Sequence, residues 1–105
     1  MNDTAFDGTR RKAQAIINKL AVYPDKLRYT EHALERMKER DISARMVLRA
    51  LRGGTVNDEP VKGRYPDELR CRIGEYGVQV VVAFNSESAS HLLIISVMKN
   101  GTNDD

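Results

Sequence analysis

The sequence predicts an α+β fold in which N-terminal helices pack on a three- to four-stranded antiparallel sheet. In the N-terminal half, apolar residues recur at helical spacing. The pair Gly53-Gly54 ends this pattern, and beyond it apolar residues alternate at strand spacing. Helices that precede a run of strands favour separate helical and sheet layers over alternating βαβ units.

Three segments of the N-terminal half have helical patterns. Residues 9–23 form the first, which Pro24 closes. Thr30 is a natural N-cap for a second helix over residues 31–40, and Ser43 caps a third. Gly53-Gly54 then ends the third helix, since glycine favours C-terminal helix ends.

Three antiparallel strands are predicted at residues 69–73, 78–84 and 92–98, and a shorter fourth strand at residues 55–61. The strands at 78–84 and 92–98 are apolar at almost every position. We therefore expect both faces of the middle of the sheet to be covered. The helical layer covers one face, and either the first helix or a second protein chain covers the other.

A chain of 105 residues has room for one domain, which we expect to span residues 1–105 with frayed ends at 1–8 and 100–105. No apolar run approaches the roughly 18 residues that a membrane span needs, and no signal-peptide pattern opens the chain. We expect a cytoplasmic protein without membrane contact. One cysteine and two histidines give no basis for a metal site or another cofactor.

Positive charge is concentrated in the N-terminal half. Residues 1–55 contain 12 Lys and Arg against 7 Asp and Glu, whereas residues 56–105 contain 5 against 8. An excess of this size is compatible with a polyanionic partner and also with ordinary solvated helices.

His32, Arg36 and Arg40 follow one another at steps of about 40° around the second helix, so they form one stripe beside its apolar face. Arginine pairs well with phosphate oxygens, and imidazole exchanges protons near neutral pH. The stripe therefore suits phosphate chemistry. The alternative is a solvated face in which nearby glutamates form ordinary helix ion pairs with the arginines.

Other cations fall on two further surfaces. Arg70 and Arg72 project from one face of a strand, where they either join the His32 stripe in one groove or are solvated charges that discourage aggregation. Arg45 and Arg49 lie on the polar face of the third helix. That face is either solvated or a docking surface for RNA phosphates or an acidic partner.

Two tyrosines are candidates for contact with RNA bases or phosphates. Tyr65 and Tyr76 lie in predicted loops or turns, where tyrosines also serve as packing covers. Lys99, at the end of the last strand, completes the predicted RNA contacts. His91 is expected to be simply exposed unless it lies near His32, and Cys71 to be an inert buried thiol.

Several enzyme classes lose support because their motifs are missing. The sequence contains no glycine-rich phosphate loop, no nucleophile elbow and no paired metal-ligand motif. ATP hydrolysis, hydride transfer and serine hydrolysis are therefore not indicated.

The segment Arg28-Tyr29-Thr30-Glu31-His32-Ala33-Leu34-Glu35-Arg36-Met37, followed by Gly53-Gly54 and three strands, resembles a family of small prokaryotic domains of unknown function. The signature of that family is a His-Ala-x-x-Arg-Met helix before a valine-rich meander. The family is similar to RelE-like toxins and, more distantly, to the barnase, EndoU and colicin ribonucleases. The resemblance covers residues 27–99 and implies a RelE-like sheet.

The resemblance implies a metal-independent endoribonuclease, of the kind encoded with an antitoxin, that cleaves RNA by attack of the 2′-hydroxyl on phosphate. His32, Arg36 and Arg40 match the motif, and Arg70 or Arg72 takes the strand position that presents a cation. Where relatives place a tyrosine, this chain has Val97-Met98-Lys99, so no general acid is identified. The alternatives are a non-catalytic module that binds nucleic acid or a partner protein, and a small-molecule enzyme.

Overall fold

The computed structural model describes residues 2–75 and 77–99, with side chains from residue 9 onward. Its helices are α1 (Asn2–Leu20), α2 (Glu31–Glu39) and α3 (Ala44–Gly53), with a short 3-10 turn at Pro24–Lys26. Its strands are β1 (Leu27–Tyr29), β2 (Thr55–Val56), β3 (Val61–Lys62), β4 (Glu68–Glu75), β5 (Val78–Asn85) and β6 (Leu92–Lys99). The predicted α+β class is confirmed.

Side-chain caps determine where α2 and α3 begin. The Ala33 N–H donates to the Thr30 hydroxyl oxygen (3.0 Å), and the Met46 N–H donates to that of Ser43 (3.2 Å). Both predicted N-caps are thereby confirmed. The first helix differs from its prediction, because it begins at Asn2 and ends at Leu20.

The sheet is mixed and has six strands, in the order β1-β6-β5-β4-β2, with β3 also paired to β4. The three long predicted strands are present and antiparallel, but the predicted total of three to four strands, all antiparallel, was wrong. β1 pairs parallel to β6. This strand was not predicted, because three residues are too few to show the alternation of a strand in the sequence. The predicted strand at 55–61 is instead two short strands, β2 and β3, and the segment between them contains Pro60, which has no N–H to donate to a ladder.

The core lies between one face of the sheet and the helices α1 and α3. Ile17 of α1 and Leu51 of α3 are fully buried against Ile73, Val80 and Ile94 of the three long strands. We call this side of the sheet the covered face.

Gln14 attaches α1 to the segment that follows α3. Its amide nitrogen donates to the Gly54 carbonyl (2.6 Å), and its amide oxygen accepts the N–H of buried Val56 (2.8 Å). One side chain thus satisfies two backbone groups at the junction of α3 and β2.

The opposite side of β4, β5 and β6 is here called the open face. Strand register places Arg72, Val81 and Ser96 side by side on it, with Val81 only half-buried. The first helix, α1, packs beside α3 on the covered face. It therefore does not cover the opposite face of the sheet, which was one of the two alternatives predicted from the apolar strands.

Candidate functional site

Thr30 attaches the start of α2 to the edge of β6. Its backbone N–H donates to the Ile94 carbonyl (3.1 Å), and its hydroxyl donates to the Ile95 carbonyl (3.1 Å). Because the same hydroxyl oxygen accepts the Ala33 N–H, one side chain both caps the helix and holds it on the sheet.

Arg40 attaches the other end of α2 to the same strand edge. Its Nη1 donates to the Val97 carbonyl (3.0 Å). The helix is therefore held against β6 at both ends, which fixes the position of the side chains between the two anchors.

His32 and Arg36 lie on the flank of α2 that is turned away from the core. Ala33 is buried and Met37 packs against the core. With about 100° per residue, Met37 lies about 40° to one side of Ala33, and Arg36 lies about 60° to the other. The imidazole of His32 is exposed beyond Arg36, beside the open face.

The side chains of His32 and Arg36 are in contact. Arg36 Nε lies 3.4 Å from His32 Nε2, with arginine as the donor. This contact requires a neutral imidazole that carries its hydrogen on Nδ1. The same guanidinium forms an ion pair with Glu39 through Nη1 (2.9 Å). The pair places an imidazole beside a cation, at a position that solvent reaches.

Arg70 and Arg72 lie on the open face of β4, two positions apart. The Arg72 guanidinium contacts the Asp58 carboxylate through both Nε (3.2 Å) and Nη2 (2.5 Å). Arg70 Nε lies 3.7 Å from Glu68 Oε1. Both arginines are partly exposed and partly neutralised by a neighbouring carboxylate.

The five residues predicted to be catalytic border one face from two sides. β5 lies between β4 and β6, so Arg70 and Arg72 are about 10 Å from β6 across the sheet, and α2 lies beyond it. They do not form one compact cluster with His32. They flank a strip of open face wide enough for an extended chain.

Arg45 and Arg49 lie on a different surface. They line a shallow groove of about 560 Å³ between α3 and the end of β4, where Arg49 Nη2 is 3.6 Å from Glu75 Oε2. Since α3 packs on the covered face, these two arginines are on the opposite side of the sheet from Arg70 and Arg72. A single strand cannot contact both sets on one face.

The remaining predicted RNA contacts are dispersed. Tyr65 is 61% exposed and lines a groove at one end of the open face. Lys99 ends β6 in register with buried Val78, on the side of the covered face. Tyr76 lies outside the described residues.

Two residues near Tyr65 were not predicted as part of a site. His91 lines the same groove, and exposed Arg28 is in register with Leu93 of its floor. Arg28 could be placed there only by knowing that β1 exists and pairs with β6. For His91, the available signal was its position directly before the apolar run of the last strand.

Cys71 is buried on the covered face, as predicted. Burial in apolar surroundings disfavours the thiolate and raises the pKa of this thiol to about 12. Burial likewise raises the pKa of Tyr29 above its usual 10.0. Neither group is activated as a nucleophile or acid near neutral pH.

Neither a metal site nor a membrane-spanning helix is found among the described residues. Within residues 2–75 and 77–99, no group of three His, Cys, Asp or Glu side chains is arranged to hold a metal ion. Over the same residues, no helix combines the length and apolar character needed to span a bilayer.

A family model for a domain of unknown function, DUF4258, matches residues 29–99. The chain belongs to the DUF4258 family. The match begins in β1 and runs through α2, α3 and the sheet to the end of β6, and α1 precedes it. Neither a curated protein nor a solved structure matches this DUF4258 chain. The resemblance to a family of small uncharacterised domains is confirmed.

Proposed function

We propose that this DUF4258 domain is a metal-independent, toxin-like endoribonuclease whose catalytic group is His32. The supporting observation is the contact between Arg36 Nε and His32 Nε2, 3.4 Å apart on the exposed flank of α2. An imidazole beside an arginine supplies a proton acceptor and a phosphate ligand in one place.

The reaction would begin with the RNA 2′-hydroxyl. Arg36 turns from the imidazole to a phosphate oxygen, which leaves His32 Nε2 free to accept the hydroxyl proton. The 2′-oxygen then forms a bond to phosphorus, the bond from phosphorus to the 5′-oxygen breaks, and the leaving oxygen takes a proton from solvent. The products are a 2′,3′-cyclic phosphate and a 5′-hydroxyl.

The other arginines would act at different distances from the reacting phosphate. Arg40 uses Nη1 to hold the Val97 carbonyl, so its role is to position α2. Arg70 and Arg72, across the open face, would hold flanking phosphates. Their carboxylate partners Glu68 and Asp58 are exchanged for phosphate at little cost, because partly exposed ion pairs contribute little to stability.

The relationship to RelE-like toxins is part of this proposal. It is supported by the segment from His32 to Met37, and by the order of two helices followed by an antiparallel meander of β4, β5 and β6. Toxins of that kind act with an antitoxin, so a protein that covers the site is the expected partner.

The rival proposal is a domain of the same fold that binds nucleic acid or protein without cleaving RNA. It is favoured by the carboxylates that neutralise three of the site arginines, since Arg36, Arg70 and Arg72 each lie within 4 Å of one. Such pairing lowers the local positive potential available to the charge that develops in a transition state.

The test is incubation of the purified, partner-free chain with end-labelled RNA in the presence of a chelator. Cleavage that leaves 2′,3′-cyclic phosphate ends supports the ribonuclease. RNA binding without cleavage by the folded chain supports the rival. Cleavage only after a divalent ion is restored contradicts the proposed mechanism.

A further inference from the structure

We propose that the groove between residues 63–67 and the start of β6 holds one unpaired nucleobase of the bound RNA. The adjacent phosphates then lie on Arg28 and Arg70. The inference rests on the proposed binding of RNA and specifies the substrate as single-stranded.

The groove has the size of a small-ligand site. Its volume is about 440 Å³, within the usual range for such sites. Ala83 and Leu93, which are paired in register on β5 and β6, belong to its lining. Tyr65, in the loop before β4, and His91, directly before β6, also line it. An apolar floor with two rings in the lining suits a flat heterocycle.

Tyr65 supplies the stacking surface. Its side chain is 61% exposed, so the ring is accessible to a ligand. The guanidinium carbon of Arg64 lies 5.8 Å from the ring centroid, close enough to orient the ring by a cation–π contact. Unpaired bases stack on exposed aromatic rings of this kind in single-stranded RNA complexes.

His91 has one ring nitrogen available to a ligand. Its Nδ1 lies 3.3 Å from the Ser90 hydroxyl, and the imidazole is exposed. Nε2 is therefore left to donate to, or accept from, the edge of a base.

The charges around the groove determine which part of a nucleotide enters it. Asp67 and Glu68 line the groove, so a phosphate inside it would be repelled. Amino and imino groups of a base are donors, and a carboxylate accepts from them. The base is therefore the part that enters, which distinguishes this groove from a site for free phosphate.

The phosphates would lie outside the groove on two arginines. Register places Arg28, Leu93, Ala83 and Arg70 in one row across β1, β6, β5 and β4. The two arginines thus flank the floor from opposite sides, about 14 Å apart at the backbone. Within the described part of the chain, Arg28 forms no ion pair and no side-chain hydrogen bond, so its guanidinium is free to bind phosphate.

The test measures binding, with His32→Ala as the parent chain so that the RNA stays intact. Tyr65→Ala should weaken binding of a short single-stranded RNA by about 5- to 150-fold, the range for one stacked base. Tyr65→Phe keeps the ring and should bind like the parent. His91→Ala should weaken binding less than Tyr65→Ala does.

Tyr23→Ala is the matched control. Tyr23 is also an exposed tyrosine, 50% accessible, with a cation, Lys26 Nζ, 5.9 Å from its ring centroid, and it lies outside the groove. This variant should bind RNA like the parent. A fully abasic RNA of equal length should bind equally to the parent and to Tyr65→Ala, because it has no base to stack.

Equal affinity of the parent and Tyr65→Ala for the base-bearing RNA would overturn the inference. So would an equal loss on the abasic RNA, or no RNA binding by the folded parent. The proposed catalysis fails separately: if His32→Ala cleaves as fast as the unmodified chain while Tyr65→Ala still weakens binding, only the catalytic role of His32 is lost.

Discussion

Arg36 Nε lies 3.4 Å from Nε2 of His32, one helical turn earlier on α2. This contact joins the only two side-chain types that the proposed reaction requires, a proton acceptor and a cation. It also connects the two proposals, because the open face beside it leads to the groove that contains Tyr65.

Replacing Arg36 should affect both binding and rate. Arg36→Ala is expected to raise the Kd for RNA about 10-fold and to lower the cleavage rate about 10²- to 10³-fold, because an arginine on phosphate stabilises the ground state and, more strongly, the transition state. Filter binding and single-turnover cleavage measure the two quantities.

Glu39→Gln is the matched control for that variant. It removes the carboxylate that pairs with Arg36 but leaves the cation in place. Binding and rate should stay equal to wild type or rise. A fall as large as that of Arg36→Ala would show that the ion pair, and not a phosphate contact, accounts for the effect.

The salt dependence of RNA binding should identify the face that the RNA contacts. The log–log slope against salt is expected to be about −0.7 for each phosphate neutralised. Arg70→Gln with Arg72→Gln should flatten it by one to two phosphates. Arg45→Gln with Arg49→Gln, on the opposite side of the sheet, should leave it unchanged. Flattening by the α3 pair instead would place the RNA on the groove beside Glu75.

Local sequence patterns predicted the elements whose stabilising contacts are local. Thr30 and Ser43 cap helices through residues three positions away, and the alternating strands pair with their sequence neighbours. β1 was missed because it forms a strand only by pairing with β6, which lies far along the chain. The hydrogen bond from the Thr30 hydroxyl, directly after β1, to the Ile95 carbonyl of β6 depends on the same long-range approach.

The candidate site likewise has one part that depends on local spacing and one part that depends on long-range contacts. The His32 and Arg36 stripe follows from helical spacing, so the sequence was sufficient to propose it. The neighbourhood of Arg28, Tyr65 and His91 depends on a parallel strand pair and two loops that meet at one end of the sheet. No periodic pattern in the sequence indicates that these segments lie close together in the fold.

Two adjacent glycines should respond differently to alanine. A Cβ on Gly54 would lie 2.2 Å from the Ala50 carbonyl oxygen and 2.6 Å from that of Gly74, and backbone atoms cannot easily move. Gly54→Ala is expected to lower the free energy of unfolding by about 2–3 kcal/mol. Urea denaturation measures the change.

Gly53→Ala is its control. There the nearest atom is Oε1 of the flexible Glu75 side chain, which can rotate away, and alanine favours the helix. Its free energy of unfolding should stay within about 1 kcal/mol of wild type. Equal losses from both variants would contradict the packing described at the end of α3.

Stability should fall at alkaline pH because of Cys71. In the folded chain its pKa is raised from 9.0 to about 12, so above pH 9 the unfolded chain releases a proton that the folded chain retains. The folded chain therefore keeps its full stability below pH 9, and its free energy of unfolding falls as the pH rises toward 12. At pH 10 the free energy of unfolding should be about 1.4 kcal/mol lower than at pH 7.

Cys71→Ala should remove this pH dependence, so the stability difference between the variant and wild type should be about 1.4 kcal/mol smaller at pH 10 than at pH 7. Urea denaturation of the two chains at pH 7 and pH 10 measures it. The same fall in both chains would assign the effect to another group.

The most direct measurement is the single-turnover rate of RNA cleavage by wild type and His32→Ala in chelator, with circular dichroism to show that both are folded. If His32 accepts the 2′-hydroxyl proton, the variant should be slower by about 10² to 10⁴ while its affinity for RNA changes little. Equal rates in the two folded chains, or no cleavage by either, would contradict a catalytic role for His32.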